Sequence, residues 1–270
     1  MNNLDTLIEN GLVVTENEIG HLNIGIKDGK IAYLGDENLN AEFKINASDL
    51  IVLPGGIDPH VHVDQPSGDD VIMADNFQTA TKSAAAGGNT TILPFAMQIK
   101  GQSLRKCVED YHKKAQGNMY IDTSFHLIIS DPTPQVLGQE LPALSKDGYT
   151  SFKVFMTYDD LVLNDKELIE VFDVAKQLKT LVMVHAEGYD SIKYLSDKFE
   201  KEGKTAPYYH APTRPQIVER EATHRAISHA QIVDIPLMIV HVSGEEALNQ
   251  IRWAKDKGCL LYTSPSPRDL

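Results

Sequence analysis

The spacing of apolar positions changes character near residue 50. Before it, short apolar runs are set between turn dipeptides: Leu7-Ile8, Asn10-Gly11, then Leu12-Val13-Val14. Leu22, Ile24 and Ile26 alternate up to Asp28-Gly29, and Ile31 and Tyr33 alternate after it. An Asp-Gly pair between alternating runs is a strong short-range hairpin signal. So few strands bury little by themselves, so residues 1–50 are expected to be part of a small sheet completed by other segments.

From Leu50 onward near-continuous apolar runs alternate with amphipathic segments. The pattern predicts strands over 51–57, 90–95, 123–129, 151–157, 181–185 and 237–241, with helices over 76–86, 103–115, 165–178, 191–202, 215–233 and 245–257. Asn164 with Glu167 and Ser243 with Glu246 read as capping boxes, and Pro215 suits a first helical turn. Gly87-Gly88 and Gly258 read as left-handed helix stops. Buried strands regularly separated by helices imply a parallel α/β sheet covered on both faces.

Candidate chemistry falls at the ends of these strands. His60 and His62 are two residues apart, so in an extended strand both imidazoles face one way. The apolar runs 181–184 and 237–240 each end in a histidine, His185 and His241. In a parallel αβ barrel the strands' carboxyl ends carry the active site, so four imidazoles are expected together there, as a metal site of open coordination requires. Lys153 sits among Phe152, Val154 and Phe155; a lysine so placed must be ion-paired, neutralised or chemically changed.

Composition narrows the partners. The 270 residues carry a net charge of -13, which argues against nucleic acid and anionic membrane surfaces and favours a small, weakly charged substrate. Two widely spaced cysteines, no leader-like amino terminus and no apolar run of membrane-spanning length lead to a cytoplasmic reading.

These residues carry a resemblance. Asp58-Pro59-His60-Val61-His62, Ala84-Ala85-Ala86-Gly87-Gly88-Asn89-Thr90-Thr91, Lys153 with Tyr158, His185-Ala186-Glu187 and His241-Val242-Ser243-Gly244 resemble the amino-terminal part of the hydantoinase and dihydropyrimidinase family of the amidohydrolase superfamily. The segment Gly203-Lys204-Thr205-Ala206-Pro207 with His210 and Arg214-Pro215 resembles it too. The resemblance implies a (β/α)8 barrel, here cut after about six βα units over 51–258, preceded at 1–50 by part of a small β-sandwich domain. It implies two divalent ions, typically zinc, bridged by Lys153 carboxylated on its side-chain nitrogen (N6-carboxylysine), with His60 and His62 on one ion and His185 and His241 on the other.

By the same resemblance Tyr158 is the catalytic hydrogen-bond donor to the developing oxyanion, Phe155 and the loop 65–73 shape the substrate pocket, and Asp58 orients a ligand histidine. His126 is expected to be structural. The implied reaction opens a hydantoin or dihydropyrimidine ring to an N-carbamoyl amino acid, in a full-length homotetramer. Allantoinase or dihydroorotase activity is an alternative, the latter disfavoured because Val63-Asp64-Gln65-Pro66 offers no arginine for a substrate carboxylate. A non-catalytic scaffold is the other alternative, disfavoured because all five visible ligand positions are present.

After Gly258 two Ser-Pro dipeptides follow a stretch where a seventh apolar strand should run, and they break the composition. Residues 259–270 are therefore expected to be a non-native tail resembling translated vector sequence, with Asp269 no substitute for the aspartate that the family carries on its eighth strand. On that expectation the 270-residue chain alone does not open rings.

Overall fold

The computed structural model describes residues 4–67 and 71–264, and the chain divides into two units between Gly56 and Ile57. The first unit is a five-stranded sheet of β1 (Leu4–Val14), β2 (Ile19–Lys27), β3 (Lys30–Gly35), β4 (Ala41–Asn46) and β5 (Ile51–Val52), ordered β3-β2-β1-β4 with β5 also on β1. Asp28 and Gly29 both take positive φ, 50° and 71°, as the expected hairpin turn requires. Asn10-Gly11, in contrast, is no turn. β1 runs straight through it with a bulge between Ile8 and Gly11, and Asn10 absorbs the left-handed backbone at φ 67°. Gly11 is needed there because a Cβ would come within 2.6 Å of a Val52 methyl carbon.

The second unit runs β6 (Gly56–Val61), α1 (Phe77–Ala86), β7 (Asn89–Met97), α2 (Leu104–Ala115), β8 (Asp122–Thr123), β9 (His126–Ile128), α3 (Leu141–Lys146), β10 (Ser151–Phe155), α4 (Asp165–Leu178), β11 (Leu181–His185), α5 (Tyr189–Lys201), α6 (Gln216–Val233), β12 (Leu237–Ile239), α7 (Glu245–Asp256) and β13 (Leu261–Thr263). The sheet order is β13-β12-β11-β10-β9-β7-β6, with β8 beside β7. Among the described residues the pairings from β7 to β13 are parallel. This is the curled, parallel part of an αβ barrel, with its helices on the outer face.

Several expected elements shift. The strand expected over 51–57 is two strands, because Ile51 and Val52 pair with Leu12 and Val13 in the first unit while Gly56 opens β6. The strand over 123–129 is likewise split into β8 and β9. A π-helical turn, Val136–Glu140, leads into α3, and neither was anticipated. Leu261–Thr263 of the expected tail pairs in parallel with β12 as a seventh strand of the main path; 265–270 lie outside the described residues.

Of the helix signals, Asn164 and Glu167 form the expected capping box, and Gly88 and Gly258 are left-handed, both at φ 87°. Gly87 is not, at φ -83°. Pro215 stands one residue before α6. Ser243 does not cap α7. Its hydroxyl donates to the His241 carbonyl, and a carboxylate from α6, Glu219, accepts the amides of Ser243 and Gly244 instead.

Strand alternation divides the apolar residues of the second unit in two. Outward residues such as Phe152, Val154, Val182 and Val184 join the large core against the helices. Inward, a smaller cluster of Phe95, Ile128, Phe155, Met183 and Val240 fills the barrel interior. On β10 the inward positions are thus Ser151, Lys153 and Phe155.

Candidate metal centre

The five expected ligands come together above the interior cluster. His60 and His62 have ring centroids 5.5 Å apart, at the end of β6. His241, just past β12, stands 5.8 Å from His60 and 4.5 Å from His185. β6 and β12 lie at nearly opposite ends of the sheet order, so the His60–His241 approach is a direct measure of how far the sheet has curled. Tyr158 meets His185 edge-on at 5.2 Å and extends the arc.

Lys153 lies between the two histidine groups. Its Nζ is 5.2 Å from the ring centroid of Phe95 and 5.1 Å from that of Phe155. Phe95 in turn touches His60 and His62, at 4.8 and 4.9 Å, while Phe155 stacks on His185 at 5.4 Å. At 1% exposure Lys153 is buried, and burial alone pulls its amine down to about 7. Among the described residues no carboxylate ion-pairs with it, which leaves neutralisation or chemical change. His60 is depressed to about 3, first by burial and then by the charges of Lys153 and the other histidines, so its ring stays neutral and able to donate a lone pair.

Backbone strain concentrates at this rim. Tyr158 and His241 adopt positive φ, 72° and 38°, conformations that side-chain-bearing residues hold only when their surroundings enforce them. Supporting contacts that the sequence reading did not assign hold the ligands. Gln65 Oε1 lies 2.8 Å from His62 Nδ1, and its amide donates to the Phe95 carbonyl, which turns the other ring nitrogen of His62 outward for a ligand. Buried Glu187 lies 2.7 Å from His185 Nε2. The two-residue spacing of His185 and Glu187 was a visible sign of this pairing; Gln65 gave none. Asp58 accepts the His60 backbone amide and so fixes the main chain rather than the ring.

Beside the arc opens a cavity of about 640 Å³ lined by Pro66, Ser67, Met97, Tyr158, Leu161 and Ile192 among others. Phe155 does not line it. At 6% exposure it packs under His185, so its position fits a prop for the ligand better than a substrate contact. Pro66 and Ser67 bring the expected loop to the cavity; 68–70 lie outside the described residues.

Residues 51–241, a span that starts at β5 and ends on the last candidate ligand, match the amidohydrolase family. This chain belongs to that family. It is 46% identical to a D-hydantoinase of Ralstonia pickettii over 94% of its own length and 56% of the relative's. It is 36% identical to the dihydropyrimidinase of Rattus norvegicus, covering 96% of this chain and 51% of the relative. A solved D-hydantoinase (dihydropyrimidinase) from a Thermus species superposes with a TM-score of 0.91 at 31% identity, over 96% of this chain and 57% of that one. The chain thus spans about half the length of these relatives. Among the described residues no helix is long and apolar enough to cross a membrane.

Among those residues, too, no three histidine, cysteine, aspartate or glutamate side chains form a group able to hold an ion. Two imidazoles on either side of buried Lys153 are nitrogen donors of the kind a divalent ion takes.

Proposed function

We propose that the protein to which this chain belongs hydrolyses the cyclic amide bond of hydantoins or dihydropyrimidines, giving N-carbamoyl amino acids. The observation that carries the reading is a desolvated lysine that has no carboxylate partner among the described residues, set between two pairs of histidines at the strand ends of an amidohydrolase barrel. The names of its relatives, D-hydantoinase and dihydropyrimidinase, supply the substrate class.

Two divalent ions, zinc by the family resemblance, would be held by His60, His62 and Lys153 and by Lys153, His185 and His241. Such ions, when bound, make water nucleophilic near neutral pH and polarise the carbonyl under attack. An amine drawn down to about 7 is substantially neutral in the cell, so Lys153 can add to carbon dioxide. A carbon–nitrogen bond would form, the amine would give up one proton to solvent, and the carbamate would supply anionic oxygen to help hold the ions. Gln65 and Glu187 keep His62 and His185 turned to their task.

Tyr158, 42% exposed at the cavity rim, is placed to donate its phenol proton in a hydrogen bond that strengthens as charge grows on the carbonyl oxygen. Met97, Leu161 and Ile192 give the cavity apolar walls suited to a ring substituent. The net charge of -13 favours uncharged cyclic amides over nucleic acid; the full-length protein is read as a homotetramer by the family resemblance and as cytoplasmic by its sparse cysteines.

The test pairs elemental analysis with ring opening of 5-substituted hydantoins and dihydrouracil by the full-length protein. About two ions per subunit and chelator-sensitive turnover are expected. Lys153→Ala should lose tight metal binding, with partial rescue by acetate or bicarbonate; unchanged activity in this variant would overturn the bridging role.

A further inference from the structure

His126 has no part in the reaction proposed above, yet both its ring nitrogens are engaged in the barrel interior. Nε2 lies 2.8 Å from the Pro59 carbonyl oxygen, and Nδ1 is bonded to the Ser151 hydroxyl. A carbonyl can only accept, so Nε2 carries the proton and Nδ1 accepts from Ser151. The two anchor points are not neighbours in the sheet. His126 opens β9, which pairs with β7 and β10, whereas Pro59 is on β6, beyond β7. The imidazole therefore reaches across one strand. It does so along the aromatic floor, with its centroid 5.0 Å from that of Phe95, the ring that also touches His60 and His62.

What the anchors adjoin gives the contact its meaning. Pro59 immediately precedes His60, and Ser151 lies two residues before Lys153 on the same inward face of β10. We propose that His126 is a positioning residue: a strut that fixes the spacing between the strand carrying His60 and His62 and the strand carrying Lys153, so that one ion can draw ligands from both. The strut rests on the metal reading for its purpose and on the Pro59 and Ser151 contacts for its existence.

Equilibrium dialysis with zinc, alongside cobalt(II) spectra, tests it on the full-length protein and its variants. His126→Phe keeps the ring and loses both bonds. It should lower affinity for the ion at His60 and His62 by roughly ten- to a hundredfold, the usual effect of removing a supporting contact, and alter the cobalt spectrum. His126→Gln, which can place a donor near the Nε2 position, should recover most of that loss, and Ser151→Ala should show a smaller one. Wild-type affinity in folded His126→Phe would overturn the strut. If His126→Phe fails to fold, unchanged affinity in Ser151→Ala together with no binding by His126→Gln would overturn it equally. A wild-type protein without metal would overturn the proposed function instead. Histidine 15N spectra of the metal-free protein separate the two, since an Nδ1–H tautomer at His126 would remove the strut on its own.

Discussion

The two faces of strand β10 differ more than any two distant parts of the barrel. Phe152 and Val154 point outward into a continuous apolar core against the helices, fully buried and with nothing to titrate. Ser151, Lys153 and Phe155 point inward among histidines, where Lys153 is buried to nearly the same degree and, among the described residues, has no carboxylate to offset it. Equal burial therefore has opposite consequences one residue apart. Outside, removal from water stabilises the fold; inside, it holds an amine ready for chemistry at a cost to the fold.

Truncation tests the contrast most strongly. Phe152→Ala should lose about 3–5 kcal/mol in urea unfolding, as a buried phenylalanine does. Lys153→Met, the next residue, should do the reverse in metal-free protein at pH 6 and raise the melting midpoint. The sign follows from linkage. The Lys153 amine sits at about 7 in the fold and near 10.5 unfolded, so the unfolded chain binds more protons between these values. Metal-free stability should then rise as pH climbs from about 7 toward 10, and Lys153→Met should flatten that slope. Parallel losses in both variants would break the contrast.

Next in size is Tyr158→Phe in the full-length protein. Deleting an oxyanion donor typically lowers turnover by about a hundredfold to a thousandfold. Metal content should not move, since Tyr158 is not among the five candidate ligands. A change confined to KM would make Tyr158 a wall of the cavity instead. Gln65→Ala should weaken zinc binding by roughly tenfold, at the low end for a lost supporting contact, which dialysis would detect. The smallest pair concerns helix starts outside the barrel interior: Asn164→Ala should cost about 1 kcal/mol, and Ser243→Ala much less, because Glu219 rather than Ser243 accepts the amides at the start of α7.

The legible part of the molecule followed periodicity. Two histidines spaced by two, and two more closing apolar runs, identified the strand ends before any geometry was known, because a strand's period fixes which side chains converge. Contacts made across the fold left no such trace. Nothing local marks Phe95 as the ring under three histidines, or Gln65 as the partner of His62. Asn10-Gly11 looked like a turn because left-handed backbone serves turns and bulges alike, and only the pairing partner distinguishes them. Ser243 looked like a cap because a carboxylate arriving from another helix is invisible to a four-residue motif. The left-handed backbones of Tyr158 and His241 are likewise products of packing rather than of residue type.

The floor of Phe95 and Phe155 under Lys153 helps keep its amine out of water and so uncharged. An uncharged amine adds to the electrophilic carbon of dissolved carbon dioxide, whereas bicarbonate offers no such carbon. The modification proposed at Lys153 would accordingly draw on dissolved carbon dioxide rather than bicarbonate. Its rate should follow gas concentration at fixed total carbonate, a dependence to which two phenyl rings contribute while taking no part in the proposed hydrolysis.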